Sequence, residues 1–238
     1  MIRVDTQSEP VTLDLAQTAV IVVDMQNDFG APGGMFDRAG VDISGIRAAV
    51  EPTARVLAAA RRAGLKVVYL KMGFQSDLSD AGAEDSPNRR RHLAFGVGKE
   101  APAPNGTTGR YLIRDTWNTD IVDELTPQAD DIVLYKHRFS GFYETELHET
   151  LQSLGITYLI FTGCTTSVCV ESTIRDAMFR DYHCVVLEDC TAEPIGAETS
   201  RTNHQASLLL FNVFFGWVAK SSEMLTSLAG EPVSTNRS

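Results

Sequence analysis

The stretch Tyr158-Leu159-Ile160-Phe161-Thr162-Gly163-Cys164-Thr165-Thr166-Ser167-Val168-Cys169-Val170 decides the architecture. Its opening run, Tyr158–Phe161, is continuously apolar, as expected of a strand buried on both faces of a parallel sheet. A turn of small residues follows, and Val168–Asp181 has the spacing of a helix. Working outward, the runs Ala19–Val23, Lys66–Leu70, Asp131–Tyr135 and His183–Leu187 read as further buried strands. Ser44–Ala63 is Ala/Arg-rich and stops at Gly64, Glu144–Leu154 stops at Gly155, and Thr202–Phe214 is another helix candidate. Strands alternating with helices predict an α/β fold with right-handed βαβ units. Two stretches break the rhythm: the Gly/Pro-rich Phe29–Ala39, and the long polar Gly73–Thr116. A loop of that length lines or covers a site, or else forms a surface excursion or subunit contact.

In open parallel sheets the ligand crevice lies beyond the carboxyl ends of the strands. Asp24 follows the first buried run, Lys136 follows Asp131–Tyr135, and Cys169 lies just past the turn after Tyr158–Phe161. Each residue alone has a plainer reading: a turn cap, a solvated strand-end charge, a packed thiol. Together at one sheet edge they form a chemically coherent set. A helix N-terminus lowers a thiol's pKa, a carboxylate can take its proton, and an ammonium can hold that carboxylate ionised. Amides at the turn can receive an oxyanion. The predicted reaction is acyl transfer to sulfur followed by hydrolysis.

Composition narrows the classes. The 238 residues are 43% hydrophobic and 22% charged, which excludes collagen-like, disordered and coiled-coil chains. Lys+Arg total 21 against 31 Asp+Glu, a formal net charge of −10, so a phosphate backbone would be repelled and nucleic acid is not a partner. The cysteines, Cys164, Cys169, Cys184 and Cys190, form no CxxC pair and lack zinc-site spacing. The start Met1-Ile2-Arg3-Val4-Asp5 lacks an apolar signal core, and no stretch approaches the ~20 apolar residues of a membrane span. The expectation is a cytoplasmic protein without a membrane partner.

Three segments carry a family resemblance. They are Val22-Val23-Asp24-Met25-Gln26-Asn27-Asp28-Phe29, Tyr135-Lys136-His137-Arg138-Phe139-Ser140-Gly141-Phe142 and Thr162-Gly163-Cys164-Thr165-Thr166-Ser167-Val168-Cys169-Val170-Glu171-Ser172-Thr173. In this order they resemble the signatures of the isochorismatase-like cysteine hydrolases, over about residues 17–225 of a single domain spanning 1–238. The resemblance implies a three-layer α/β/α fold around a six-stranded, mostly parallel sheet. It implies Asp24 as base, Lys136 as its partner and Cys169 as nucleophile. It also implies a cis peptide before Thr165, with the Thr165 and Cys169 amides facing the oxyanion, and a packing role for Cys164. Phe29 reads as a pocket wall, with Phe74, His137, Phe139, Tyr143 and Gln205 as further substrate-binding candidates. No cofactor and no metal are implied, because Lys71-Met72-Gly73-Phe74-Gln75-Ser76-Asp77 lacks the Asp-x-His ligands of the family's nicotinamidases. A homo-oligomer, dimer or tetramer, is implied.

Within the family the chain looks most like the amidohydrolases of ureido acids. The carriers are Ala31-Pro32-Gly33-Gly34, Ser86-Pro87-Asn88, Glu171-Ser172-Thr173-Ile174-Arg175-Asp176 and Phe214-Phe215-Gly216-Trp217-Val218. It departs from them at Met72-Gly73-Phe74, at Cys164-Thr165 and at His137. Biuret and triuret hydrolases, which share the triad and act on neutral ureides, are the rival reading. Arg138, His137 and the run Arg89-Arg90-Arg91-His92 are the candidates to receive a substrate carboxylate. A reading from another class is a non-catalytic binding module. Preferential iodoacetamide labelling of Cys169 would speak for the enzyme, and equal slow labelling of all four cysteines for the module.

Overall fold

The structure is a computed structural model that describes residues 1–230. Its strands, in chain order, are β1 (Ile2–Val4), β2 (Val11–Leu13), β3 (Thr18–Val23), β4 (Lys66–Met72), β5 (Glu100–Pro102), β6 (Thr108–Arg110), β7 (Ile132–Lys136), β8 (Tyr158–Cys164), β9 (His183–Ala192) and β10 (Trp217–Ala219). The α-helices are α1 (Asn27–Gly30), α2 (Met35–Arg38), α3 (Ser44–Arg62), α4 (Pro87–Ala94), α5 (Leu147–Ser153), α6 (Glu171–Met178), α7 (Asn203–Leu210) and α8 (Ser221–Ala229). Six strands form one all-parallel sheet in the order β10-β9-β8-β3-β4-β7. β1–β2 and β5–β6 are separate antiparallel pairs.

The central strand β3 shows why the molecule has three layers. Val20 and Val22 point to one face and pack with Ile46, Val56 and Leu57 of α3 and Met224 of α8. Ala19, Ile21 and Val23 point to the other and pack with Leu147 and Leu151 of α5 and Ile174 of α6. The two-residue period of a strand thus divides a continuous apolar run between two helical layers. α3 forms because alanine-rich sequence supports helix while Ile46, Ala49, Val50, Thr53, Val56, Leu57 and Ala60 make one buried stripe. Arg61 and Arg62 sit in its last turn, favoured by the helix dipole, and Gly64 at φ +79° follows its end.

The sequence expectations need four corrections. β7 is not buried on both faces: it is an edge strand beside β4, and Val133 is 42% exposed. Apolar composition cannot tell an edge from a centre, and the Tyr135 ring is flanked by the Lys71 and Arg114 cations. Gly73–Thr116 is not loop throughout. It holds α4 and the β5–β6 pair, which are too short or too polar to show periodicity, and Ser86 caps α4 by accepting from Arg89 N. The helix expected over Val168–Asp181 is a π-turn, Thr166–Val170, running into α6, and that over Thr202–Phe214 is α7 followed by a second π-turn, Phe211–Phe215. Finally, the three-residue β10 is a sheet strand that carries too few residues for a pattern.

Gly163 lets β8 lie against β3 as it enters the turn. Its φ is +115°, and a Cβ there would run into the carbonyl of Val23. Gly163→Ala is expected to destabilise the fold by about 2–3 kcal/mol or more, visible as a lower urea midpoint at unchanged m-value. An unchanged midpoint would remove the argument.

Candidate active site

From β3 the chain builds outward through β4 to β7 on one side, and from β8 through β9 to β10 on the other. The connections therefore diverge between β3 and β8, where a doubly wound sheet opens its crevice. Asp24 directly follows β3, and the turn carrying Cys169 directly follows β8. Lys136 ends β7, two strands away, in register with Met72 of β4. Its side chain crosses the end of β4: Nζ lies 3.5 Å from Met72 Sδ and 2.7 Å from Asp24 Oδ2, and donates to the Arg138 carbonyl at 3.3 Å. Both members of the ion pair are fully buried.

The segment after β3 is tied on both flanks. Asp24 takes φ +51°, an uncommon conformation that aspartate tolerates better than most residues. Its N–H donates to Leu70 O at 2.8 Å, and Cys164 Sγ donates to its carbonyl at 3.2 Å. Gln26 continues the sheet with its side chain: Nε2 donates to Met72 O at 2.9 Å and Oε1 accepts from Met72 N at 2.8 Å.

The turn after β8 is equally constrained, and its Cys164–Thr165 peptide is cis. Thr165 O accepts from Val168 N and Val170 N, both at 3.2 Å. Glu193 Oε2 accepts from Ser167 N at 3.0 Å and Ser167 Oγ at 2.6 Å. Thr166 Oγ1 pairs with His204 Nδ1 at 2.9 Å. Behind Cys169, Thr173 Oγ1 donates to its carbonyl at 2.7 Å and accepts from Gly141 N at 3.0 Å, joining α6 to the loop after β7.

Burial dominates the electrostatics. It raises the pKa of Asp24, an effect that Lys136 and the facing Cys169 thiol partly offset. Neither Asp24 carboxylate oxygen receives a hydrogen bond of regular geometry, so the Lys136 contact is an ion pair by proximity. Burial would lower the Lys136 pKa, but Asp24 and Cys169 outweigh it and hold the amine above an ordinary lysine. Cys169 reverses the sequence expectation. Burial raises its pKa well above an ordinary thiol's, with Lys136 opposing and Asp24 adding to the rise. That burial outweighs the benefit expected from the start of a helix. The resting sulfur is a thiol that borders the same cavity as the Asp24 carboxylate, and its activation requires that carboxylate as base.

A cavity of about 170 Å³ opens over these groups and is bordered by Asp24, Thr165 and Cys169. Phe29, Met35 and Phe36, from the segment after β3, line it together with His92, Phe95, Val97 and Leu112 from the long insertion. The long insertion thus lines the site. Asp28 joins the two segments: Oδ1 accepts from Met35 N at 3.0 Å and Asn118 Nδ2 at 2.6 Å, and Oδ2 from Leu112 N at 2.6 Å. Burial pushes its pKa up to about 6 despite these donors.

Of the substrate-binding candidates, Phe29 and Phe139 border the cavity. Phe74 is fully buried one layer behind, edge-on to His92 at 5.0 Å. His137, Tyr143 and Gln205 are not among the lining residues. His137 faces Glu144 at 3.4 Å and the Tyr143 ring, and Tyr143 is 46% exposed. Gln205 completes a capping box with Thr202 at the start of α7. Two of the candidate carboxylate receptors are engaged elsewhere, Arg138 donating to Asp80 O at 2.9 Å and His137 O at 2.7 Å and Arg89 to Leu78 O at 2.9 Å, whereas His92 of the same run borders the cavity. Sequence reasoning missed Met35, Phe36, Phe95, Val97, Leu112, Val168 and Ile195, which carry no chemical signal of their own. Among the described residues, no three His, Cys, Asp or Glu side chains cluster so as to hold a metal ion, and no helix is long and apolar enough to cross a membrane.

A parallel α/β/α sheet with a buried carboxylate–ammonium pair beside a thiol at its switch point defines a class of thiol-dependent hydrolases. The sequence profile of the isochorismatase domain matches residues 18–223, and the chain belongs to the isochorismatase family. Ureidoacrylate amidohydrolase RutB of Methylobacterium radiotolerans is 43% identical over 211 residues, covering 89% of this chain and 79% of that protein. Among solved structures, a cysteine hydrolase from Pseudomonas syringae pv. phaseolicola superposes with a TM-score of 0.76 at 29% identity, covering 93% of this chain and 98% of its own. N-carbamoylsarcosine amidase from Thermoplasma acidophilum gives 0.63 at 28% identity, covering 86% and 96%.

Proposed function

We propose that the protein is a cysteine amidohydrolase that cleaves the C–N bond of a small ureido acid of the ureidoacrylate kind. The carrying observation is the buried Lys136–Asp24 pair, 2.7 Å apart, with Asp24 and Cys169 bordering the same cavity. The 43% identity to a ureidoacrylate amidohydrolase supports the substrate class. Asp24 takes the thiol proton as Cys169 sulfur attacks the ureido carbonyl. The oxyanion forms against the Thr165 and Cys169 amides. The C–N bond then breaks, and the amine leaves with the proton from Asp24. Water that Asp24 deprotonates attacks the carbamoyl thioester, the C–S bond breaks as Asp24 returns the proton to the Cys169 sulfur, and the carbamate released decays to ammonia and carbon dioxide. Lys136 touches the base throughout and favours its ionised form.

One observation favours a neutral ureide instead: no arginine or lysine is among the residues bordering the cavity. The deciding experiment is ammonia release from ureidoacrylate-type acids, biuret and triuret. The expected result is the higher kcat/KM for the ureido acid. A preference of about 100-fold for the neutral ureides, some 2.7 kcal/mol of transition-state discrimination, would overturn the substrate class and leave the triad untouched.

A further inference from the structure

Apart from Asp24, Cys169 and Thr165, the cavity wall is apolar with a single exception, His92. It comes from α4, on the long insertion, and is only 5% exposed. Its ring is held between two others: Phe74, edge-on at 5.0 Å, and Phe139, tilted at 5.3 Å. Its Nδ1 lies 2.8 Å from the Asn88 carbonyl. A carbonyl can only accept, so the proton must be on Nδ1 whatever the charge of the ring. The Nδ1 edge is therefore committed to the helix, while Nε2 has no hydrogen-bond partner among the described residues. Burial first, then the nearby Lys136 and Arg138 charges, keep this imidazole below an ordinary histidine's pKa. A neutral ring with its proton on Nδ1 presents a lone pair at Nε2, an acceptor in addition to the Asp24 and Thr165 oxygens in an otherwise apolar wall.

We infer that His92 is a substrate-binding residue whose Nε2 accepts a hydrogen bond from an N–H of the ureido group. The inference rests on the proposed function and adds what that reading lacks, a side chain that recognises the nitrogen side of the substrate. An acceptor suits a ureido group, which carries N–H on both sides of its carbonyl, and disfavours esters or carboxylates in the same place. It also explains why an otherwise apolar cavity would select a polar ligand: a donor left unpaired on entering such a wall loses its hydrogen bond to water without replacement.

The test pairs His92→Phe, which keeps a ring between Phe74 and Phe139 but removes the acceptor, with His92→Gln, whose Oε1 reaches about as far as Nε2. KM and kcat are measured for ureidoacrylate, with Kd measured for the same compound on the Cys169→Ser background, and a thermal melt of each variant checks folding. His92→Phe should raise KM and Kd about 10-fold or more with kcat changed less than about threefold, and His92→Gln should restore both to within about threefold. Unchanged KM and Kd in His92→Phe would overturn the inference, as would an equal rise in both variants with normal melts. If His92→Phe melts early, the Gln variant decides: near-normal KM supports the acceptor role and a 10-fold rise refutes it. Wild-type protein that neither binds nor hydrolyses ureidoacrylate would instead overturn the functional reading, and this inference with it.

Discussion

Replacing Cys169 by serine is expected to lower kcat/KM roughly 10³-fold or more while leaving substrate Kd nearly unchanged. The native sulfur already needs help, because burial holds it as a thiol at rest and Asp24 must remove the proton during attack. A hydroxyl is a far weaker acid than a thiol, so the same carboxylate cannot bring serine to a comparable anionic character. The matched control is Cys164→Ser. Cys164 is also fully buried, but its Sγ is turned to the Asp24 carbonyl at 3.2 Å and it does not border the cavity. That variant should stay active. Rates near wild type for Cys169→Ser, or equal losses in the two variants, would sink the assignment of the nucleophile.

Lys136→Met should impair both stability and activity, in a way that depends on pH. Among the described residues, the ammonium is the only cation within salt-bridge distance of Asp24, which is itself completely buried. Removing one partner of a buried pair costs up to about 3–5 kcal/mol, because the remaining charge is uncompensated. Asp24 can escape that penalty by binding a proton. Its pKa, raised by burial even with Lys136 present, would rise further without it. The sign follows from linkage. A carboxyl whose pKa is higher in the folded state than in the unfolded one stabilises the fold below the unfolded value, and this contribution is lost as pH rises through the folded value. The deficit of the variant should therefore be smallest in acid and grow towards neutral and alkaline pH. Activity should run the other way, climbing with pH as the base ionises, so the acid limb of the kcat/KM profile moves to higher pH. Thermal melts and pH–rate profiles of both proteins test this together. A stability deficit independent of pH, with an unshifted acid limb, would show that Lys136 does not act through Asp24.

Much of the scaffold was readable in order along the chain. Continuous apolar runs such as Ala19–Val23 need two buried faces, and the residues just beyond those runs must reach the same edge of a parallel sheet. That is why the sequence alone places Asp24, Lys136 and Cys169 together: each is fixed by its distance from a strand end. What could not be read depends on contacts between segments with no period of their own. Asp28 joins Met35, Leu112 and Asn118, and two of those partners lie 84 and 90 residues away. The run Arg89–His92 was a candidate by chemistry, but that His92 and not its arginines borders the cavity depends on how the polar helix α4 packs. Gln205, His137 and Arg138 were plausible by chemistry and are committed elsewhere by local geometry: one caps a helix, one faces Glu144, and one is held by backbone carbonyls. The protonation of Cys169 belongs to the same group. Residue type and turn position argued for a lowered pKa, but the free energy of ionising a thiol is set by the water it has lost and the charges around it, and only the packed tertiary structure determines those.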